Sequence, residues 1–267
     1  MNYLGVCAII RDEDPFLCEW MAYYLHLGVT AFYLYDNGSR IPLRTSLAGF
    51  AGVGGAAVRV HESPGRAMQM VVYNHCLASY ASECRWLAFV DLDEFIVPLQ
   101  RDTIPAMLEE YESYGGVAFN WKIFGSGGHK LRPKGLQVEN YTMALDPADP
   151  AHRHVKSVVD PARAKVFFNP HMCLMRSGSH MVTENCEPLE TATTQKPSWH
   201  KGQVNHYYFR SKQDYHEKLQ KPRADLFKTR QEVYTRPFEE GVTPDESAVR
   251  FVGGVRGILA GLEKFQG

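Results

Sequence analysis

Asp91 and Asp93 stand two residues apart where the apolar run Trp86-Leu87-Ala88-Phe89-Val90 ends, with a third acid, Glu94, directly after them. A strand alternates its side chains, so acids at i and i+2 of a strand end project to the same face. Carboxylates that close repel one another unless a cation lies between them. Hard divalent ions such as Mn²⁺ or Mg²⁺ accept such oxygen ligands, typically one or two carboxylates completed by substrate phosphates. A strand-end turn carrying solvated acids is the plainer alternative for an isolated pair of this spacing. The apolar run before the pair and the third acid favour a site for a metal and a diphosphate.

The elements that must carry this pair are legible upstream. Tyr3–Ile10 reads as a buried parallel strand. Asp14-Pro15 opens a helix, Leu17, Trp20, Met21, Tyr24 and Leu25 recur at helical spacing, and Gly28 ends it. Ala31–Tyr35 is a second strand, stopped by the turn cluster Asp36-Asn37-Gly38-Ser39. A weak helix at Arg44–Phe50, a strand at Val58–His61, a helix over Pro64–Tyr80 and a strand at Trp86–Val90 follow. This alternation predicts an α/β fold with a mostly parallel sheet flanked by helices. Ligands of such sheets bind beyond the carboxyl ends of the strands, where Arg11, Asp36, Asp91 and Asp93 fall. Gly52-Val53-Gly54-Gly55 lacks the spacing and the lysine of a phosphate loop and reads as a surface loop.

Past residue 95 the rhythm changes. Ile104–Tyr114 reads as a helix and Gly116–Ile123 as a strand, after which the glycines of Phe124-Gly125-Ser126-Gly127-Gly128-His129 suggest a mobile loop beside a pocket. Residues 133–154 read as irregular, Val155–Val159 and Ala164–Phe168 as strands, and Pro170–Cys173 as the start of another. Residues 185–198 read as a loop free to be disordered without ligand. Val204–Phe209 is a polar-aromatic patch, Ser211 starts a helix, and a helical pattern runs on to Gly267.

Composition bounds the possibilities. A chain of 267 residues, 45% hydrophobic and 12% aromatic, can build a full core. A net charge of −1 argues against a general polyanion binder and hence against nucleic acid. No apolar run reaches the roughly 18 residues of a membrane span, and no basic-then-apolar leader precedes the first strand. The six cysteines show no C-x-x-C and no zinc-like spacing, and read as mostly buried free thiols of a reduced, cytoplasmic protein.

Several blocks taken together resemble GT-A fold glycosyltransferases of the family 2-like and family 92 type. They are Ala8-Ile9-Ile10-Arg11-Asp12-Glu13, Tyr35-Asp36-Asn37-Gly38-Ser39, Tyr73-Asn74-His75-Cys76-Leu77, Trp86 to Phe95, Asn120 to His129, and Asn205-His206-Tyr207-Tyr208. They keep a consistent order over roughly residues 5–225. In Gln220-Lys221-Pro222-Arg223-Ala224-Asp225 the chain departs from relatives that carry a glycine, which bears on Arg223 and Asp225. The resemblance implies a GT-A catalytic domain over 1–210, with a nucleotide-sugar half at 1–98 and an acceptor half at 99–210. A helical C-terminal segment would follow at 211–267.

It further implies transfer of a sugar from a nucleoside-diphosphate sugar, most naturally a UDP-sugar, to a glycan, lipid-linked or protein-glycan hydroxyl, with Mn²⁺ or Mg²⁺ as cofactor. Polysaccharide biosynthesis is a setting of this type. Asp91, Asp93 and the late histidine His206 would hold the metal, Asp93 as a direct ligand, where the cation neutralises the departing diphosphate. Arg11, Asp36, Asn74 and Lys156 would face the donor. Trp121, His129 and His171 would face the acceptor. For an inverting reaction Glu184 would be the base, with Glu187 and Asp160 as rivals.

Each assignment has a plainer counterpart. Asp36 fits an Asx turn, Arg11 a salt bridge, Asn74 a polar helix surface, Lys156 an exposed edge, Trp121 the core, and His206 a structural histidine. The apolar repeat over Glu246–Phe265 reads as a helix packed on the catalytic domain or on a second subunit, a homodimer contact. Peripheral contact with the inner face of a membrane is the alternative. Other functions also stay open: a nucleotidyltransferase on the same fold, a non-catalytic glycan-binding relative, and a phosphohydrolase of the haloacid dehalogenase kind. In that last class the acidic pair follows the first strand rather than the fourth.

Overall fold

A computed structural model describes residues 1–50, 53–221, 224 and 238–263. The first strand, β1 (Asn2–Ile10), is buried from Leu4 to Ile10, as its continuous apolar run requires. Helix α1 (Asp14–His26) carries Pro15 in its first turn, and Gly28 at φ 94° lets the chain leave the helix in the left-handed region. Then come β2 (Ala31–Asp36), α2 (Leu43–Ser46), β3 (Ala57–Glu62), α3 (Gln69–Tyr80), β4 (Cys84–Phe89) and β5 (Glu94–Pro98). The second half contributes α4 (Ile104–Leu108), β6 (Gly116–Ile123), α5 (Gln137–Asn140), β7 (Met143–Ala144), β8 (Val155–Val159), β9 (Ala164–Phe167), β10 (Cys173–Met175) and β11 (Met181–Thr183). The described chain closes with β12 (Gly202–His206), α6 (Lys212–Gln220), β13 (Thr243–Pro244) and α7 (Val252–Glu263).

The main sheet runs β3-β2-β1-β4-β8-β6-β12-β5, with β11 also paired to β6. Strands β3, β2, β1 and β4 are mutually parallel. Strand β8 is antiparallel to β4 and β6, and β5 is antiparallel to β12. The expected mostly parallel α/β sheet is therefore present, with antiparallel pairings where β5 and β8 join. One apolar cluster runs through Leu4, Trp20, Trp86, Phe95, Phe119 and Val204 and takes in Phe251, Val255 and Leu262 from the C-terminal end.

Several elements differ from their expected extent. Helix α3 starts at Gln69, not Pro64, and the helix expected over Ile104–Tyr114 stops as α4 and tightens into a 3₁₀ turn at Glu109–Tyr111. Gly125 allows a close backbone approach, while Gly127 and Gly128 adopt left-handed φ values of 59° and 83°. The amides of Gly125, Ser126 and Gly127 donate to the carbonyls of Met143, Glu239 and Glu240, and a Cβ on Gly125 would collide with the Glu240 backbone. The segment 185–198 is irregular but anchored, with Ser198 N donating to Asn120 Oδ1. Helix α7 is shorter than the expected Glu246–Phe265, being preceded by a 3₁₀ turn at Val249–Phe251. Lys264 and Phe265 lie outside the described residues. The helix packs on α1, with Phe251 edge-on to Tyr23 and His26 and no room for a side chain at Gly254 against His26. Among the described residues no helix is long and apolar enough to cross a membrane. The six cysteines are free thiols, four of them buried.

Candidate active site

Strand β4 stops at Phe89, so Asp91, Leu92 and Asp93 lie in the tight turn that leads into β5 rather than on a strand. The turn is closed by Glu94 N donating to Asp91 O at 3.1 Å and Asp91 N donating to Glu94 Oε2 at 2.8 Å. Helix α1 pins it from below. Trp20 Nε1 donates to Asp91 O, Tyr24 OH to Glu94 O, and Tyr23 OH to Ile96 O, at 3.2, 3.0 and 3.0 Å. These aromatic rings fill the core with their bodies and fix the turn with their polar tips. Each such bond is worth on the order of 1 kcal/mol net.

The two carboxylates have separate partners. Asp91 Oδ1 accepts from Gln69 Nε2 at 2.8 Å and from Tyr73 OH at 3.4 Å. Its Oδ2 lies 3.0 Å from Lys156 Nζ. The Lys156 side chain is 1% exposed, and its ammonium also lies 3.2 Å from Glu94 Oε2. Burial works against this charge, but Asp91 and then Glu94 hold the Lys156 pKa well above its ordinary value. Burial pushes the Glu94 carboxyl up to about 8, opposed by Lys156 and reinforced by the two aspartates.

Asp93 faces a different set. Lys218 Nζ, from the last turn of α6, lies 2.5 Å from Asp93 Oδ2, and His206 Nε2, at the end of β12, lies 3.4 Å from the same atom. Burial would raise the Asp93 carboxyl, yet Lys218 and then His206 hold it well below the usual carboxylate range. Burial lowers the His206 pKa, so the imidazole is neutral near pH 7. Its Nδ1 is buried and finds no hydrogen-bond partner among the described residues.

A divalent ion can be tested against these groups. Among the described residues no three His, Cys, Asp or Glu side chains converge to hold a metal, so the expected set of Asp91, Asp93 and His206 is not assembled. The physical reason is that Asp91 turns one oxygen to Gln69 and the other to Lys156. Asp93 and His206 do converge, as an ionised carboxylate beside a neutral imidazole. That pair fits an ion whose remaining ligands are phosphate oxygens and water, the usual mode for Mg²⁺.

Around this turn lies a cavity of about 280 Å³ at the carboxyl ends of β1 and β4. It gathers six residues expected from the sequence: Arg11, Asp91, Asp93, Trp121, His171 and His206. Trp121 stacks on His154 with centroids 5.0 Å apart and lies 4.4 Å from the His206 ring. His171 Nδ1 contacts the Val155 carbonyl at 2.9 Å. A carbonyl only accepts, so the proton sits on Nδ1 and Nε2 keeps its lone pair. Burial, then Lys156, lowers the His171 pKa to about 3.

Other expected residues do not line this cavity. Lys156 is not an exposed edge residue; it backs Asp91 from inside the sheet. Asp36 holds its own turn, accepting from Ser39 N and Leu43 N, while the neighbouring Asn37 reaches the cavity wall. Asn74 clamps β9, with Nδ2 donating to Phe167 O and Oδ1 accepting from Phe167 N. His129 packs edge-on to Tyr141. Glu184 is 1% exposed and accepts from Ser198 Oγ and from the amides of His200, Lys201 and Gly202. This enclosed carboxylate anchors the loop before β12 and does not reach the cavity, which argues against its use as a base. Its rivals lie elsewhere too, with Asp160 paired to Arg85 and Arg163 and Glu187 exposed. Val53–Gly55 forms a 3₁₀ turn away from the cavity, and Gly52 lies outside the described residues. Arg223 and Asp225 also lie outside them.

Sequence reasoning missed Glu13, Gln69, His154, Lys218 and Lys221 on the cavity wall. The available signal was the helix start at Ser211, whose capping box with Asp214 fixes where Lys218 emerges. Lys221 reaches back to Asp12 O and Glu13 Oε1, and Arg210 pairs with Glu13 Oε2 at 2.7 Å.

Comparison with known proteins places the chain. A glycosyltransferase family 92 protein of Ricinus communis is 28% identical over 169 residues, covering 59% of this chain and 28% of that protein. One of Arabidopsis thaliana is likewise 28% identical over 169 residues, with the same two coverages. The chain thus spans about a quarter of the length of these relatives. Among solved structures, S. aureus TarS 1–349 is similar over 60% of this chain and 47% of that one, at 12% identity and a TM-score of 0.40, too distant to bear on chemistry. The family model of glycosyltransferase family 92 matches residues 2–239, and the chain belongs to that family.

Proposed function

We propose that this chain transfers a sugar from a nucleoside-diphosphate sugar, with UDP as the nucleotide, to a hydroxyl of a glycan acceptor with inversion at the anomeric carbon. The observation that carries this reading is the Asp91–Asp93 turn set in the cavity at the strand ends, in a chain of family 92. Asp93 and His206 would hold a Mn²⁺ or Mg²⁺ ion, which when bound would neutralise charge on the leaving diphosphate. Arg11, which makes no ion pair among the described residues, would pair with phosphate or pack on the base. Asp91, held by Gln69 and Lys156, would fix the turn and face the sugar-nucleotide. Trp121 would present its ring to the acceptor sugar. The lone pair on His171 Nε2, too weakly basic to keep a proton, would accept a hydrogen bond that orients the attacking hydroxyl, whose proton would pass to solvent or to the departing diphosphate.

Calorimetric titration of UDP into the wild type and Asp93→Ala, with and without Mn²⁺, tests the reading. Metal-dependent binding that vanishes in the variant supports it and justifies a screen of UDP-sugars for transfer. Absence of UDP binding with metal present overturns the nucleotide assignment.

A further inference from the structure

The atom best placed to ligate a cation, Asp93 Oδ2, already carries one. Lys218 Nζ lies 2.5 Å from it and is also bound to the Tyr208 carbonyl at 2.9 Å and seated 3.8 Å from the centroid of the Tyr208 ring. The Lys218 side chain is 11% exposed, so this is an enclosed ion pair rather than a surface contact. Asp91, two residues earlier, is served by a lysine of a central strand; Asp93 is served by a lysine in the last turn of a helix at the cavity rim.

From this geometry we propose that Lys218 is a resident counter-cation of Asp93, which a divalent ion must displace and which then turns to the diphosphate of the donor. The inference rests on the metal-dependent reading given above. With Lys218 in place the carboxylate is already neutralised, so a divalent ion arriving alone adds uncompensated positive charge beside an ammonium. Arriving with a diphosphate, it brings an anion to which Lys218 can turn as it leaves Asp93. The lysine arm, four methylenes long with three rotatable donors, can make that exchange without movement of the helix. The site is thereby biased to take metal and nucleotide together, and Lys218 acts as a positioning residue for the cation and a binding residue for the phosphates.

The test is Mn²⁺ binding, read by the electron-spin-resonance signal of the free ion, with and without UDP, on wild type, Lys218→Met and Lys218→Arg. Lys218→Met should bind Mn²⁺ alone at least 10-fold more tightly than wild type, and bind UDP in the presence of Mn²⁺ several-fold more weakly. Lys218→Arg should restore the wild-type order. Added Mn²⁺ should raise the melting temperature of Lys218→Met more than that of wild type, and Asp93→Asn in the same background should abolish that rise. Unchanged Mn²⁺ affinity in a folded Lys218→Met, with metal-dependent UDP binding intact in wild type, overturns the inference and leaves the functional reading standing. If wild type binds no Mn²⁺ even with UDP, the metal reading falls and the inference with it. If Lys218→Met does not fold, Lys218→Gln replaces it in the same comparison.

Discussion

The two aspartates of one turn live in different surroundings. Asp91 rests on Lys156, whose side chain is sealed in strand β8 with Glu94 behind it. Asp93 meets Lys218 from the end of a peripheral helix and the neutral imidazole of His206. The first pair is built into the sheet and cannot exchange its cation without disturbing the core. The second can, because a rim lysine has somewhere else to go. Identical residue types at adjacent alternate positions therefore divide into a carboxylate that shapes the site and one free to take part in its chemistry.

The sharpest way to break this contrast is to neutralise each acid in turn. Asp93→Asn should lower kcat/KM for transfer by about 100- to 1000-fold, the usual cost of losing one charge-stabilising group, and also lower the melting temperature, since it breaks an enclosed ion pair. Asp91→Asn should lower the melting temperature with a smaller loss of activity, since it strips Lys156 of one of its two charged partners and leaves Glu94 as the other. Equal activity losses with equal stabilities would erase the distinction.

Lys156→Met probes the built-in pair directly. Leaving Asp91 and Glu94 beside an apolar chain should cost about 3–5 kcal/mol in urea unfolding, against a much smaller loss for Lys218→Met. A smaller effect comes from Glu94, whose carboxyl is pushed up to about 8 by burial from an ordinary 4.5. A folded value above the unfolded one stabilises fully below pH 4.5 and loses that contribution as pH rises toward 8. Wild-type stability should fall across that window, and Glu94→Gln should flatten the slope. The smallest change is expected for Asn74→Ala. Loss of its two bonds to Phe167 should cost about 1–3 kcal/mol and leave the KM for donor within twofold. A large KM effect would return Asn74 to the donor site.

Much of this was legible in the chain. The strands β1, β2, β4, β6 and β8 announce themselves by apolar runs, and the helices between them by spacing, because burial of one face is written into consecutive residues. The meeting of Asp93 with His206 was legible as an expectation from block order. Asp36, Asn74 and Glu184, expected at the site, are held by structural partners outside the cavity for one physical reason. A carboxylate or amide that caps a turn, clamps a strand or gathers loop amides is the same group that binds a ligand, and the local sequence does not say which donors arrive. Gly125 is ambiguous in the same way, since a missing side chain serves mobility and close approach alike.

The sequence by itself determined the α/β alternation, the position of the acidic turn at a strand end and the types of group that gather there. Tertiary structure alone decided which cation answers which acid. Lys156 reaches Asp91 across 65 residues and Lys218 reaches Asp93 across 125. No periodicity or local propensity encodes such pairings, because they depend on how distant segments cross the sheet and on which ammonium is buried when they do.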